Sequence, residues 1–247
     1  MAWEHCGKEW VISIDIKDYF TSIKQRHVLA AFADFGIVEW AGKLLSEIVT
    51  FKAFLPQGAV TSPKVSNMIA AKTFGPVVNE ICDSLGIVLT IYADDLTFSY
   101  DYTDVLYECV YEEYLKWFPE DTTEFPTSGK GVSTMLIRII DNILHTNGFL
   151  VNRKKTKVMG PGLRHWVCGV VTNKHPNLSK KQRSFLRAVV HNMVTHGVQS
   201  AAERAGVDPH TFVYSLRGKL AWYKQINPSA AQPLIDKYAA YLKANPL

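Results

Sequence analysis

The stretch TIYADDLTFS, residues 90–99, places two adjacent carboxylates, Asp94 and Asp95, between two runs rich in β-branched and aromatic residues. Such a pattern predicts a strand, a tight turn and a second strand. A turn alone explains one aspartate, because its side chain bonds nearby backbone groups. It explains the second less well, since neighbouring like charges repel unless a cation lies between them. The stretch therefore predicts a hairpin, and it leaves two interpretations open, a plain turn and a cation site.

The bulk composition is that of a globular chain. The 247 residues are 47% hydrophobic and 12% aromatic, which suffices for one large domain or two smaller ones. The sequence contains no apolar run of about 18 residues and no signal-peptide pattern, so we expect no membrane association. Its four cysteines are far apart and form no CxxC pair. This spacing disfavours zinc and a secreted disulfide framework, and favours buried, reduced thiols in the cytoplasm.

The charge is divided unevenly along the chain. Residues 174–247 hold eleven Lys and Arg against three acids, a balance of +8, while residues 1–173 hold sixteen against twenty, a balance of −4. A basic C-terminal third beside an acidic remainder indicates a polyanion bound at one end and cations at the other. A solvated helical surface is the alternative explanation of the basic part.

Periodicity and turn signals predict an α+β region up to residue 173, followed by a helical domain over residues 174–247. The predicted strands are 9–16, the two arms of the 90–99 hairpin, 149–152, and a short strand or hairpin within 165–173. The predicted helices are 21–35, 40–51, 62–83, 103–117, 132–147, 179–196, 198–205, 210–226 and 229–244.

A third carboxylate, Asp15 in SIDIKDYF, ends the first predicted strand. If that strand lies beside the hairpin, Asp15, Asp94 and Asp95 meet at one edge of the sheet. Three carboxylates together are costly without a cation, and the hard, oxygen-seeking Mg²⁺ is the usual one. Two such ions can activate an attacking hydroxyl and stabilise a leaving pyrophosphate. The arrangement therefore points to nucleotidyl transfer.

Five motifs together resemble the palm of reverse transcriptases in order and spacing. They are DIKDYF (15–20), LPQGAVTSP (55–63), YADD (92–95), GFLVNRKKTK (148–157) and WVCGVV (166–171). The resemblance covers roughly residues 9–173, and the helical tail is similar to the thumb that follows the palm. It implies an antiparallel palm sheet flanked by helices, and a palm (1–173) and thumb (174–247).

Within the family, the chain most resembles bacterial retron-type enzymes. Tails like LRGKLAWYKQINP (216–228) recur in that group, but Cys168 stands where the group commonly has threonine. Group II-like enzymes and other bacterial defence enzymes therefore stay open. The resemblance implies an RNA-directed DNA polymerase that extends a 3′-hydroxyl of a DNA or RNA primer on an RNA template, and antiviral defence as a role.

The resemblance also implies a role for each motif residue. Asp15 and Asp94 would ligate two Mg²⁺ ions, Asp95 would assist, and the Ile16 carbonyl would complete one site. Phe20 would exclude a ribose 2′-hydroxyl, so that deoxynucleotides are preferred.

Three further residues would contact the incoming dNTP: Gln57 and Gly58 would line it, and Lys155 would neutralise or protonate pyrophosphate. From the residues alone, a core aromatic explains Phe20, a turn explains Gln57 and Gly58, and a solvated charge run explains Lys155.

Primer and template contacts are implied for a larger set. Tyr92 would pack under the primer terminus, and Trp166–Val170, including Gly169, would form the primer grip. Thumb cations would contact phosphates without reading sequence. They are Lys180, Lys181, Arg183, Arg187, Arg217 and Lys219.

The chain departs from the family pattern at its start. Reverse transcriptases carry a fingers region before the first catalytic aspartate, whereas Lys8 is the only cation among residues 1–14. We therefore expect a fingers-bearing segment or partner to dock on an apolar surface near Trp3, Trp10 and Val11, and weak or no activity without it. A non-catalytic nucleic-acid-binding or assembly subunit with a retained palm, or one piece of a larger polymerase, is the alternative.

Overall fold

The computed structural model describes residues 1–245, which divide into two compact units. The first, which we call the sheet unit, is Lys8–Leu163. The second, which we call the helical unit, joins Met1–Gly7 to the chain from Arg164 onward. The division therefore follows Leu163 rather than residue 173. The assignment of palm and thumb roles to these units stays a prediction.

The first seven residues belong to the helical unit through direct contacts. Ala2, within a short 3-10 helix (Ala2–His5), packs against the apolar core of that unit. The Gly7 backbone N–H donates to the Thr172 carbonyl at 3.1 Å. Burial lowers the pKa of the His5 imidazole to about 4. The N-terminal segment is therefore a packed part of the fold.

The sheet unit contains five strands and seven helices within Lys8–Leu163. The strands are β1 (Trp10–Lys17), β2 (Val88–Tyr92), β3 (Asp95–Tyr100), β4 (Leu150–Val151) and β5 (Lys157–Met159). The helices are α1 (Tyr19–Ser22), α2 (Gln25–Asp34), α3 (Glu39–Val49), α4 (Ser62–Ala70), α5 (Phe74–Ser84), α6 (Asp104–Trp117) and α7 (Gly129–Thr146).

All strand pairs in the sheet are antiparallel, and β1 lies at its centre. One edge of β1 pairs with β3, which pairs in turn with β2. The other edge pairs with β4 near Lys17 and with β5 near Val11. The predicted 90–99 hairpin is confirmed. Strand β5 was missed, because three residues are too few for a period-two pattern to appear.

Helix α7 covers one face of this sheet. Its apolar residues recur at helical spacing, and Val132, Met135, Ile139 and Ile143 are buried with exposures of 1% or less. They share one core with Ile12, Ile14 and Ile16 of β1, and with Phe74 and Val78 of α5. Because side chains alternate along a strand, Val11, Ser13, Asp15 and Lys17 lie on the other face of β1.

The predicted apolar docking surface near the N-terminus is wrong for two of its three residues. Val11 is completely buried, and Trp10 stacks on Tyr100 with ring centroids 6.5 Å apart. A Cβ on Gly129 would lie 2.2 Å from the Trp10 ring, so the ring fills a slot that only glycine leaves open. Trp3 alone stays exposed, at 59%. Lys8 forms an ion pair with Asp101 at 2.7 Å, so it is already paired within the sheet unit.

Two predicted helices are each divided in the structure. The segment predicted at 21–35 forms α1 and α2, because the Thr21 and Ser22 hydroxyls bond the Asp18 carbonyl instead of capping a longer helix. The segment predicted at 62–83 forms α4 and α5. Pro76 lies in the first turn of α5, where a missing N–H costs nothing and favours a new helix start.

The helical unit contains a hairpin and three long helices, which confirms the predicted helical C-terminal region. Its elements are β6 (Trp166–Val167), β7 (Val170–Val171), α8 (Lys180–Ala205), α9 (Pro209–Ile226) and α10 (Pro228–Ala244). Ser179 and Gln182 form a capping box at the start of α8. The helix breaks at Gly197, with φ 83° and ψ 161°, where the sequence predicts two helices.

Two sequence expectations on cysteines and membranes have direct counterparts in the structure. The four cysteines form no disulfide within residues 1–245, but only Cys82 is buried; Cys109 and Cys168 are exposed and Cys6 is half-buried. The expectation of buried thiols is therefore wrong for three of the four. Over residues 1–245, every helix is too short or too polar to cross a membrane.

Candidate active site

The sheet register brings the first predicted carboxylates together. Asp15 in β1 lies directly opposite Asp95 in β3. Asp94 precedes Asp95 in the hairpin loop, and its backbone carbonyl accepts the Ile16 N–H at 2.8 Å. The end of β1 is therefore tied to the loop that carries both other aspartates.

These carboxylates lie on the sheet face that α7 does not cover. Ile14 and Ile16 point into the core, so Asp15 and Ser13 lie on the opposite face, where facing residues of neighbouring strands share an orientation. Lys157 of β5 pairs with Ser13 and belongs to the same face. Strand β5 thus adds a cation beside the carboxylates.

Asp15 is buried and incompletely satisfied. Only 7% of the residue is exposed, and its Oδ1 is buried without a hydrogen-bond partner. Its Oδ2 accepts a hydrogen bond from the Lys155 ammonium at 3.0 Å. A buried carboxylate oxygen without a donor is costly. Asp15 therefore has one oxygen bound to a cation and one oxygen open to another ligand.

The three charges repel one another. Burial first, and then the charges of Asp94 and Asp15, raise the pKa of the Asp95 carboxyl, while Lys155 and Lys157 lower it. The hydrogen bond to Asp15 raises the pKa of the Lys155 amine. A positive charge at this edge of the sheet is thus favoured electrostatically.

The residues present fit a hard divalent cation by their chemistry. Carboxylate oxygens are the ligands that Mg²⁺ prefers, and Asp15 Oδ1 has no other partner. Over residues 1–245, however, no three His, Cys, Asp or Glu side chains are gathered into a finished metal-binding group. The carboxylate oxygens therefore lie near one another, but they do not converge on one point as the ligands of a bound ion would. The predicted role of the Ile16 carbonyl stays a prediction.

The hairpin loop at the site holds an unusual backbone conformation. Tyr92 pairs with Asp95, so Ala93 and Asp94 form a two-residue loop, and Ala93 has φ 52°. That region of backbone space favours glycine, and a residue with a Cβ is strained there. Such strain is found at functional sites, where the surrounding structure maintains it.

The residues predicted to contact the incoming nucleotide differ in their surroundings. Phe20 is half-buried against the core, with its ring 5.6 Å from that of Tyr19. Gln57 and Gly58 are exposed in the loop before α4. Gly58 has φ 90°, so this backbone turn requires glycine whether or not a substrate approaches it. Packing and backbone conformation thus account for Phe20 and Gly58, and the predicted contacts of all three residues with a nucleotide stay a prediction.

The residues predicted to contact primer and template are distributed over both units. Tyr92 is 63% exposed at the end of β2 in the sheet unit. Trp166 and Gly169 belong to the helical unit, where Cys168 and Gly169 form the loop between β6 and β7 with φ 48° and 78°. Both residues of the commonest hairpin turn have positive φ, so Gly169 has a structural reason of its own.

The six predicted phosphate-binding cations all belong to α8 and α9. Five are exposed and Arg183 is half-buried. They do not form one surface, because Arg183 and Arg187 line a different cavity from Lys219. Sequence analysis missed His191 and Lys237, which line the same cavity as Arg183. The spacing of Arg183, Arg187 and His191 by four residues was the available signal.

Comparison with known proteins agrees with the motif order. The profile described as reverse transcriptase (RNA-dependent DNA polymerase) matches residues 1–186. The chain belongs to the reverse transcriptase family. This assignment confirms the resemblance drawn from the five motifs.

Curated relatives are retron reverse transcriptases. The chain is 27% identical to the Ec86 enzyme of Escherichia coli, with 78% of this chain and 52% of the relative covered. It is 29% identical to the Mx162 enzyme of Myxococcus xanthus, with 77% and 41% covered. For the Mx65 enzyme of Myxococcus xanthus the identity is 28%, with 94% and 50% covered. The chain spans about half the length of these relatives.

Among solved structures, the telomerase of Candida albicans, in complex with a fragment of telomeric RNA, is similar over 94% of this chain and 46% of that chain. The TM-score is 0.47 and the sequence identity 9%.

Proposed function

We propose that this chain is the catalytic part of a retron-type, RNA-directed DNA polymerase. The observation that carries the proposal is the pairing of Asp15 with Asp95 at a sheet edge, where Asp15 Oδ1 is buried without a partner. Membership of the reverse transcriptase family and the retron relatives support the choice of template and product. Antiviral defence in the cytoplasm is the role that the retron likeness suggests.

In this proposal, Asp15 and Asp94 hold two divalent ions with help from Asp95 and the Ile16 carbonyl. When bound, two Mg²⁺ ions lower the pKa of the primer 3′-hydroxyl and stabilise charge on the leaving pyrophosphate. The carboxylates would position the bound ions. Their mutual repulsion raises the pKa of the Asp95 carboxyl, and positive charge relieves this repulsion.

Lys155 has two successive positions in the proposed reaction. In the structure its ammonium bonds Asp15 Oδ2 at 3.0 Å. With a divalent ion bound at Asp15, this ammonium would be free to leave the carboxylate. Its long, exposed side chain then reaches the phosphates, where it neutralises pyrophosphate or donates a proton to it. Lys155 thus first supplies the positive charge at Asp15 and later contacts the substrate.

The other predicted residues select and position the substrates. Phe20, half-buried beside Tyr19, occupies the space of a ribose 2′-hydroxyl, and Gln57 and Gly58 line the dNTP. Tyr92, Trp166 and Gly169 position the primer. Cations of α8 and α9 position the template–primer duplex through its phosphates.

The test is single-nucleotide extension of a primer annealed to an RNA template, with Mg²⁺. We expect incorporation of dNTP in preference to rNTP on the RNA template. Asp15→Asn removes one charge without changing shape, and the loss of a metal ligand costs on the order of 4 kcal/mol of barrier, about a thousandfold in rate. The control is Asp83→Asn, an exposed aspartate on α5.

Three results would overturn the proposal: no incorporation by the parental chain on any template even when a fingers-bearing segment is supplied, equal rates in Asp15→Asn and Asp83→Asn, or exclusive use of rNTP. The non-catalytic alternative gains support from the carboxylates not being gathered into a finished metal group within residues 1–245. It predicts the first result together with intact binding of the template–primer.

A further inference from the structure

A second cluster of like charges lies in the helical unit, in a groove lined by α8, α9 and α10. The groove has a volume of about 800 Å³. Four side chains that carry or can acquire a positive charge line it, together with two tyrosines: Arg183, Arg187, His191, Lys237, Tyr223 and Tyr241. None of the residues 1–245 that line it is acidic. The groove is therefore built for a negatively charged ligand.

Among residues 1–245, no acidic side chain neutralises the cations of the groove. In residues 1–245, no carboxylate forms an ion pair with Arg183, Arg187, His191 or Lys237. Asp236, next to Lys237 on α10, accepts a hydrogen bond from Gln232 at 2.8 Å instead. Arg183 Nε is buried and has no hydrogen-bond partner. A buried N–H without an acceptor is costly. The described residues supply no acceptor for this N–H, and a bound anion would supply one.

The walls of the groove are fixed by hydrogen bonds between the helices. At the break in α8, the Val198 backbone N–H donates to the Tyr241 hydroxyl of α10 at 3.2 Å. The Tyr238 hydroxyl of α10 donates to the Val213 carbonyl of α9 at 3.1 Å. Tyr223 is buried at the groove, and the nearby Arg183 and Arg187 oppose the rise in its pKa that burial causes. The groove is thus a formed feature of the three-helix packing.

Helix α8 presents cations of the predicted thumb to two opposite sides. Arg183, Arg187 and His191 recur every four residues and form one stripe, because four residues make slightly more than one turn. Phe185 and Asn192 lie about half a turn away and line a different cavity of about 370 Å³, with Arg204 and Lys219.

We propose that this groove is a second binding site of the helical unit, with a nucleotide as its ligand. The two arginines would bind the phosphate oxygens, since guanidinium forks match phosphate geometry, and Lys237 would add a point charge. The volume exceeds what a phosphate needs. Apolar residues Val190, Val194 and Leu234 line the rest of it, which suits a nucleoside. The nucleotide is either free or part of a single-stranded nucleic acid, since both present the same chemistry.

The test measures binding without polymerisation, in buffer free of divalent ions, so it is independent of the proposed catalysis. The probes are a fluorescein-labelled oligouridylate and ATP, with inorganic triphosphate as a competitor. The variant is H191Q/K237Q, which changes two groove residues outside the predicted template-binding set. The matched control is Arg204→Gln, which removes an exposed cation from the opposite cavity.

We expect H191Q/K237Q to weaken binding about tenfold for whichever of the two probes the parental protein binds. For the oligouridylate, the slope of log affinity against log salt should fall by about 0.7 for the one phosphate contact of Lys237. Arg204→Gln should stay within about twofold of the parent. Binding of ATP with competition by triphosphate identifies a free nucleotide, whereas binding of the oligouridylate alone identifies a single strand.

Equal losses in H191Q/K237Q and Arg204→Gln would overturn the proposal, since they would indicate diffuse attraction to a basic surface. Unchanged binding in H191Q/K237Q, or no binding of either probe by the parent, would also overturn it. Circular-dichroism melting of both variants checks that the helices are intact, and both changes are at exposed positions.

Discussion

The sheet unit and the helical unit each concentrate charges of one sign, but they do so by different means. Asp15 is 7% exposed and meets Asp95 through strand register, with one ammonium, that of Lys155, bound to it. The groove cations Arg187, His191 and Lys237 are exposed and meet through helix packing. Buried charge of one sign demands a specific partner, whereas exposed charge tolerates many.

This difference predicts which unit depends on single atoms. A carboxylate that binds a cation in a buried position acts through its own charge and position, so one substitution should abolish function. Cations on helices contribute phosphate contacts that add up, so each substitution should weaken binding in proportion.

The largest effect is expected for Asp94→Asn. It should reduce incorporation about a thousandfold, because a cation ligand loses its charge. Duplex binding should remain near the parental value. Thermal stability in metal-free buffer should not fall, since removal of this charge relieves the repulsion that raises the pKa of Asp95. Parallel rate, binding and melting measurements check this, with Asp83→Asn as the control. A variant that still incorporates at the parental rate would remove Asp94 from the site.

Removing cations of α8 should weaken duplex binding in proportion to the number of cations removed. Replacing Lys180, Lys181 and Arg183 together with alanine removes about three phosphate contacts, so the slope of log affinity against log salt should become shallower by roughly two to three. Titration of a template–primer duplex across salt measures this. Lys43→Ala is the control, because Lys43 is already paired with Glu39 at 2.7 Å. If the triple variant keeps the parental slope, these residues belong to a solvated surface and do not contact phosphates.

A smaller effect is expected for Phe20→Ala. The smaller side chain opens the space of a ribose 2′-hydroxyl, so the preference for dNTP over rNTP should fall about tenfold, which corresponds to about 1.4 kcal/mol of discrimination. Direct competition between the two nucleotides measures the ratio. Phe35→Ala, at an exposed phenylalanine, is the control. If both variants keep the parental ratio, Phe20 is a core residue only.

The smallest effect concerns the strained loop. Ala93 has φ 52°, so Ala93→Gly should raise the free energy of unfolding by about 0.5–1 kcal/mol. Ala30→Gly, at an exposed position within α2, should lower it by a similar amount, because glycine weakens a helix interior. Denaturant unfolding of both variants measures the two signs. A loss of stability in Ala93→Gly would mean that the loop stores no strain.

The carboxylate site could largely be predicted from the sequence. The strand end at Asp15 and the hairpin at Asp94 and Asp95 were readable from local patterns, and antiparallel pairing brings them together. Strand β5, which brings Lys157 to the same face, was too short to recognise. The burial of Trp10 depends on glycines about 120 and 150 residues away, and local periodicity has no information on such contacts.

In the helical unit, the helices could be predicted from the sequence, but the grouping of their cations could not. Its helices and the break at Gly197 follow from local signals, and the spacing of Arg183, Arg187 and His191 places them on one stripe. The sequence does not say that α10 brings Lys237 to that stripe while Lys219 lines another cavity. Helix packing decides which cations act together.

The most direct test of the central claim is a Mn²⁺ titration followed by electron paramagnetic resonance, with Mn²⁺ in place of Mg²⁺. The claim is that Asp15, Asp94 and Asp95 form a cation site in which the Lys155 ammonium holds one oxygen of Asp15. Asp94→Asn should therefore weaken Mn²⁺ binding at least about tenfold, a change of about 1.4 kcal/mol. Lys155→Met should strengthen it about three- to fivefold, because the Lys155 ammonium competes with the metal ion for Asp15 Oδ2. Lys154→Met should change nothing. Identical Mn²⁺ affinities in the parent, Asp94→Asn and Lys155→Met would contradict the account.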